Sequence, residues 1–333
     1  MNVSELGEFG LIERLRASIR GAGAAERLVV GPGDDAAVWR FGERCVIATT
    51  DTMVAGVHFV PGRVSWTDVG WKALATNISD VAAMGGTPSF ALVTLSLPED
   101  TTIADIDALY DGLHTCATEF GVTIAGGDVV SSAVFSVTVA LLGEPSMDVA
   151  GAPALLRRDA ARAGDAIAVS GPLGGSAGGL RMLLSGDEDR SPLLARHMRP
   201  RPRIDAGTAA IAAGVQCAID ISDGLVQDLG HICRASGLGA EIVASRVPVD
   251  PALTAAFPHD AMTMALTGGE DYELILVAPA ERIDAVSAAL HAPLVIIGTM
   301  VETKQPAVRV LDDRGAEAAI ENAGWDHLRG RGA

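Results

Sequence analysis

Lysine is almost missing from this 333-residue chain: only Lys72 and Lys304 occur, so nearly all positive charge is arginine and lysine-dependent chemistry has two candidates. Positive charge itself is scarce, with 25 Lys+Arg against 42 Asp+Glu and a net charge of -17. A surface of that sign repels nucleic-acid backbones and anionic lipid, so nonspecific binding to nucleic acid or a membrane surface lacks electrostatic support. Multivalent cations are the better-matched partners. No uncharged apolar run approaches the roughly 20 residues that span a bilayer. The N-terminal MNVSELGEFGLIERLR has acidic residues and no basic start or apolar core, so it does not read as a signal peptide. Cys45, Cys116, Cys217 and Cys233 are scattered without a C-x-x-C pair, which leaves no zinc or redox motif and points to reduced, mostly buried thiols in a cytoplasmic protein.

The chain is 49% hydrophobic, enough for two ordinary cores at its length. Apolar spacing predicts a surface helix over 4–20, then a strand at CVIATT (45–50). Ser65 with Asp68, and Thr102 with Asp105, resemble capping boxes opening helices that end near Met84 and Gly121. ALVTLSL (91–97), VTIAG (122–126) and AVFSVTVALLG (133–143) read as strands. The segment 144–162, with Gly151 and Pro153 and no clear period, is the candidate linker, dividing the chain into domains 1–147 and 148–333. Beyond it, strands at 165–171, 216–222, 272–278 and 293–298 alternate with helices near 180–184 and over 203–214, 224–236 and 280–290. The fold class is α/β or α+β in both halves.

The aspartates carry the functional signal. Asp34 and Asp35 lie in VVGPGDDAAV, Asp51 in VIATTDT, Asp80 in TNISDVAAMGG, Asp128 in TIAGGDVV, and Asp220 and Asp223 in CAIDISDG. Each stands beside apolar residues. Asp51, Asp128 and Asp220 are expected at or just past strand ends, where ligands collect in α/β folds. Any one of them is equally a turn or helix cap. Together in apolar frames they would repel one another, and hard divalent cations such as magnesium relieve that repulsion.

Glycine supplies the second signal: GPGDD (31–35), GG (85–86), GGD (126–128), GPLGGSAGG (171–179) and GGED (268–271) can approach a ligand closely. Exposed backbone N–H groups in such turns bind phosphate. GPLGGSAGG has neither G-K-[ST] nor the G-x-G-x-x-G spacing, so tight helix-to-strand packing is its simpler reading. His58 is either a satisfied histidine or a substrate contact, and Arg158 either a solvated charge or a ligand contact. The run RHMRPRPRI (196–204) is either a phosphate site or, as expected here, a solvated loop, and Trp325 a packing anchor or a ring-stacking residue.

GPGDDAAV, TTDTMVAGVHF, KALATNISDVAAMGG, IAGGDVVSS, SGPLGGSAGGL, RPRPRI, DISDGLVQDLGHI and GGEDYEL, in that order, closely resemble the bacterial thiamine-monophosphate kinases, from about residue 7 to Trp325. The wider superfamily includes aminoimidazole ribonucleotide synthetase, selenophosphate synthetase and a hydrogenase-maturation dehydratase. The latter two differ by an N-terminal reactive cysteine and a cysteine-bearing tail. The resemblance implies an ATP-binding fold without a Walker A loop, a homodimer formed through the N-terminal sheet, and a C-terminal α/β domain. The implied reaction is phosphorylation of thiamine monophosphate by ATP, the last step of thiamine diphosphate synthesis. Carried over by motif, Asp35, Thr49, Thr50, Asp51, Asp80, Asp128, Asp220 and Asp223 would hold several magnesium ions. Gly127, Asp128, Arg158 and Ser222 would contact ATP, and His58, Glu270 and Trp325 the thiamine phosphate. Asp35, Asp51, Asp80, Asp128 and Asp220 would carry the catalysis. The departures are Pro32, where an aliphatic residue is expected, and Trp at 325 in place of Tyr or Phe.

Overall fold

The computed structural model describes residues 5, 7–18, 25–186, 191–290, 293–318 and 324. Trp325 lies outside them. A first helix, α1 (Glu8–Ser18), precedes a six-stranded sheet of order β1-β2-β3-β6-β4-β5. Its strands are β1 (Leu28–Val30), β2 (Ala37–Phe41), β3 (Arg44–Val54), β4 (Gly86–Leu97), β5 (Thr123–Ser131) and β6 (Ser136–Pro145). Only β4 and β5 run parallel. Helices α2 (Trp66–Ala83) and α3 (Ile103–Phe120) cover one face, where Ile47, Leu74, Ile78, Val93, Leu113, Val139 and Leu141 form the core. Both expected helix starts are present. Asp68 N–H donates to Ser65 Oγ at 3.1 Å, and Thr102 and Asp105 close a reciprocal capping box.

The second sheet, of order β12-β9-β11-β7-β10-β8, is also mostly antiparallel. It is built from β7 (Ala166–Val169), β8 (Cys217–Asp220), β9 (Gly239–Val243), β10 (Leu274–Ala278), β11 (Val295–Val301) and β12 (Val308–Leu311). Every residue of β7, β8 and β10 is buried because helices cover both faces. Ile167, Val169, Ile275 and Val277 face α7 (Leu225–Ser236), and Ala166, Ala168, Leu274 and Leu276 face α6 (Ile204–Ala212) and α10 (Ala280–Ala289). This explains why these strands read as unbroken apolar runs. The remaining helices are α4 (Gly175–Ser185), α5 (Pro192–Met198), α8 (Pro251–Ala256) and α9 (Ala261–Thr267). No helix among the described residues is long and apolar enough to cross a membrane.

The two sheets meet through α2. A Cβ on Gly207 of α6 would stand 2.1 Å from the Ala82 carbonyl oxygen, so only glycine lets the second domain approach this closely. Two expectations need correction. The run 196–204 is no solvated loop: it begins inside α5, His197 is buried, and Arg196, Arg199, Arg201 and Arg203 pair with Asp250, Asp68, Glu119 and Glu273. Alternating charge with proline hid partners that lie far away in sequence. The other concerns Asp51 and Asp128, which sit well inside β3 and β5 rather than at their ends. Those strands continue past their apolar stretches with polar side chains. Asp220 does close β8 as expected.

GPLGGSAGG does pack tightly, but helix against helix and not helix against strand as its simpler reading predicts. A Cβ on Gly179 would lie 2.1 Å from the Leu193 carbonyl oxygen, so these glycines let α4 pack tightly on α5.

Candidate functional site

A cavity of about 610 Å³ opens between the two domains. Asp51, Asp80, Asp220 and Asp223 line it at one side, and His58, Lys72, His197 and Glu270 at another. Alternation along β3 turns Thr49 and Asp51 toward α2. Thr49 Oγ1 donates to Asp80 Oδ2 at 2.5 Å, and Asp51 N–H donates to Asn77 Oδ1 at 3.0 Å. Asp220, at the end of β8, accepts from Ser79 Oγ at 2.6 Å. One turn spacing on α2 thus presents Asp80 beside the side chains that hold Asp220 and the Asp51 backbone.

Carboxylate oxygens of Asp35, Asp80 and Asp220 all lie within 4.8 Å of one another. Burial, then the neighbouring Asp51, Asp220 and Asp35 charges, pushes Asp80 well above the ordinary carboxylate range. Burial and Asp35 push Asp220 up to about 8. Asp34 rises to about 6, through burial and then Asp35, against the attraction of Arg158. Among the described residues, the cation that pairs with this cluster is Arg158, whose Nη2 and Nε reach Asp35 at 2.7 and 3.2 Å and whose backbone N–H reaches Asp34. Several inward carboxylates against one guanidinium form a hard-oxygen, charge-deficient site, which suits divalent cations. Arg158 is therefore an internal counter-ion, not a solvated charge. Arg158→Met should destabilise the ion-free protein by about 3 kcal/mol, the order found when one partner of a buried pair is removed. Urea unfolding in EDTA would read this, and an unchanged midpoint would show that Arg158 does not hold Asp34 and Asp35.

His58 is a satisfied histidine that also lines the cavity. Its Nδ1 accepts from the Val54 N–H at 3.0 Å, so a neutral ring carries its proton on Nε2. The Ser222-Asp223-Gly224 turn is organised by Asp228, whose Oδ2 accepts all three backbone N–H groups at 3.0–3.1 Å. Glu270 and Tyr272 hold positive φ values of 67° and 52°, unusual for residues with side chains, and both line the cavity.

Gly127 and Asp128 do not join this cluster within one chain. They lie on edge strand β5, separated from β3 by β4 and β6. Three strand spacings amount to roughly 14 Å. The register places Asp128 beside Thr94, Thr138 and Thr52, on the face away from α2, and Thr50 is on that same face. Sequence reasoning missed Lys72, Asn77, Ser79, Asp228, His197 and Tyr272. For Lys72 a signal existed, since Lys72, Thr76 and Asp80 recur every four residues and so share one helix face.

Known proteins resemble this chain along most of its length. Residues 33–144 match the AIR synthase related protein, N-terminal domain family, and residues 162–311 the corresponding C-terminal domain family. The chain is 36% identical to the thiamine-monophosphate kinase of Aquifex aeolicus over 85% of this chain and 89% of that protein. It is 37% identical to that of Escherichia coli O157:H7 over 97% and 98%. A solved structure described as AaThiL complexed with AMPPCP and TMP superposes with a TM-score of 0.84 at 33% identity, covering 98% of this chain and 99% of that one. With two domains, an inter-domain aspartate cluster and full-length likeness of this kind, the chain belongs to the thiamine-monophosphate kinase family.

Proposed function

We propose that this chain transfers the γ-phosphoryl group of ATP to thiamine monophosphate, giving ADP and thiamine diphosphate. The observation that carries the reading is the cavity with a carboxylate cluster at one side and Glu270 and His58 at the other. Relatives bearing that enzyme name and the neighbour solved with AMPPCP and TMP support it. A phosphate acceptor has a second pKa of about 6 and is largely ionised at neutral pH, so no general base is required. An acceptor phosphate oxygen attacks the γ-phosphorus as the bond from that phosphorus to the bridging oxygen of ADP breaks, in line and without a phosphoenzyme. Asp35, Thr49, Thr50, Asp51, Asp80, Asp128, Asp220 and Asp223 are the residues that would hold magnesium. Once bound, magnesium supplies neutralisation of the phosphate charge and alignment of the two substrates. Arg158, Ser222 and Gly127 with Asp128 bind ATP in this reading, and His58, Glu270 and Trp325 the acceptor. The organisation 1–147 and 148–333 and a cytoplasmic location complete it.

The reading also needs a homodimer. Phe90, Leu92 and Val130 are 52%, 49% and 45% exposed on the face of the first sheet that α2 and α3 leave uncovered. That apolar face also carries the polar row Thr52, Thr138, Thr94 and Asp128. A second copy packed there covers the apolar surface and brings its own Asp128 toward Thr50. Leu92→Arg should shift the protein from twice the 34.2 kDa chain mass to a single chain in light scattering, with loss of turnover. An active monomer would refute the dimer requirement.

The reaction is tested by ADP release with Mg-ATP and thiamine monophosphate, thiamine or no acceptor, with product mass measured. Thiamine diphosphate formed only from the monophosphate is the expected result. ATP binding without acceptor-dependent ADP would instead indicate another superfamily substrate or a nucleotide sensor.

A further inference from the structure

Lys72 is one of two lysines in the chain, and it is buried in the middle of the molecule. Its Nζ lies 2.8 Å from Glu270 Oε1, with the lysine side chain 5% and the glutamate side chain 27% exposed. The other carboxylate oxygen, Oε2, is 3.3 Å from His197 Nδ1, which is also 3.0 Å from Ser176 Oγ. Burial, then the Lys72 charge, holds His197 down to about 3, so the imidazole is neutral and Lys72 is the cation that balances Glu270. Burial alone would raise Glu270, but the Lys72 charge, the leading opposing cause, holds the carboxyl below its ordinary value.

Three separate segments build this group. Lys72 comes from α2, His197 from α5, and Glu270 from the loop before β10, where its φ of 67° is a conformation that side chains rarely adopt. α5 and the segment following it are fastened to α2 at the neighbouring residue, since Trp71 Nε1 donates to the Pro200 carbonyl at 2.9 Å and the Arg199 guanidinium lies over the Trp71 ring. Eight residues separate Lys72 from Asp80, a rise of about 12 Å along the helix. Lys72, Thr76 and Asp80 all line the cavity, so α2 acts as a ruler with the carboxylate cluster at one end and the Glu270 carboxylate at the other. Thiamine monophosphate is similarly bipolar: its phosphate belongs at the cation-binding end, which leaves the aminopyrimidine ring for the Glu270 end. An ionised carboxylate only accepts hydrogen bonds, and a ring amino group donates them.

We propose that Lys72 is a positioning residue that fixes the Glu270 carboxylate for the ring amino group of the acceptor, and so sets selectivity for an amino-substituted heteroaromatic ring over its oxo counterpart. This rests on the reaction proposed above. An oxo group would turn an acceptor toward an acceptor, and a site built to receive an N–H discriminates strongly against a partner lacking it. Lys72 acts through Glu270, and removing it takes away the charge that keeps this half-buried carboxyl ionised, so that a protonated Glu270 can donate to an oxo group.

The test compares thiamine monophosphate with its 4′-oxo analogue in the full-length parent and in Lys72→Met, Lys72→Arg, Glu270→Gln and the Lys72→Met/Glu270→Gln double variant. In Lys72→Met the KM for thiamine monophosphate should rise at least tenfold, with kcat and the KM for ATP each within threefold of the parent. Preference for the amino over the oxo acceptor should fall at least tenfold, and Lys72→Arg should recover part of it. Because Lys72 works through Glu270, adding Lys72→Met to Glu270→Gln should change the acceptor KM by less than twofold. The double variant removes both charges and so leaves neither one buried alone, which keeps the test open if a single variant fails to fold. Parental amino/oxo preference in Lys72→Met, or fully additive effects in the double variant, would overturn the role while leaving the reaction intact. A rise in the ATP KM in place of the acceptor KM would also overturn it, placing Lys72 on the polyphosphate. A parent that forms no thiamine diphosphate would remove the reaction and this role with it.

Discussion

Asp80→Asn should lower kcat by about 10³-fold, the upper order for removing one preorganised charge-stabilising group, without destabilising the ion-free protein. Asp80 sits where Asp35, Asp51 and Asp220 all raise its proton affinity, so it is the common neighbour of the cluster. Asparagine keeps an oxygen for the 2.5 Å hydrogen bond from Thr49 Oγ1 and a similar volume. It removes one negative charge from a site that already has too many, so the melting temperature in EDTA should be equal to or above that of the parent. The gain in melting temperature on adding magnesium should shrink, since one hard ligand is lost. Acceptor-dependent ADP release across a magnesium titration, with melts in parallel, reads all three effects. Full activity at every magnesium concentration would remove Asp80 from the machinery, and a large loss of stability in EDTA would make its role structural.

The stabilisation by magnesium should itself depend steeply on pH. Asp220 is raised from 3.8 to about 8 and Asp34 to about 6. A carboxyl with a raised native pKa binds a proton in the folded chain that the unfolded chain has released. The ion-free protein therefore loses stability as pH rises from about 4 toward 8, with the Asp34 contribution ending near 6. Asp271, raised to about 7 by burial while it accepts the Gly174 and Ser176 N–H groups, adds a slope of the same sign. Asp271 stands apart from the cluster, so its effect cancels in the difference between melts with and without magnesium. Cations compete with protons for the cluster, so the magnesium effect should be small at pH 5 and reach about 5–11 °C at pH 8. A free ion at a hundred times its Kd contributes about 2.7 kcal/mol, and 1 kcal/mol moves the midpoint of a larger domain by about 2–4 °C. A magnesium shift of equal size at pH 5 and pH 8 would show that the raised carboxyls are not the ion site.

Much of this was legible before any coordinates. The Thr102 and Asp105 capping box, the Ser65 helix cap, and Asp35, Asp80 and Asp220 as neighbours follow from local residue pattern and chemistry. Strands β1 and β2 and the pair β9 and β12 were not legible, being short or exposed on one side and lacking a clear apolar run. The paired arginines of 196–204 escaped because their acids lie 54 to 131 residues away.

The sequence by itself determined which groups are available: an acidic chain, carboxylates in apolar frames, glycine where backbone must come close, and one lysine within the family motifs. Tertiary structure alone decided how they combine. Strand register, not residue type, puts Asp51 against α2 and Asp128 on the opposite face, because a pleated strand alternates sides at every residue while sheet order sets the distance between strands. Docking of the second domain on α2 gives Lys72 its glutamate, because a buried charge needs a partner that no local pattern can name.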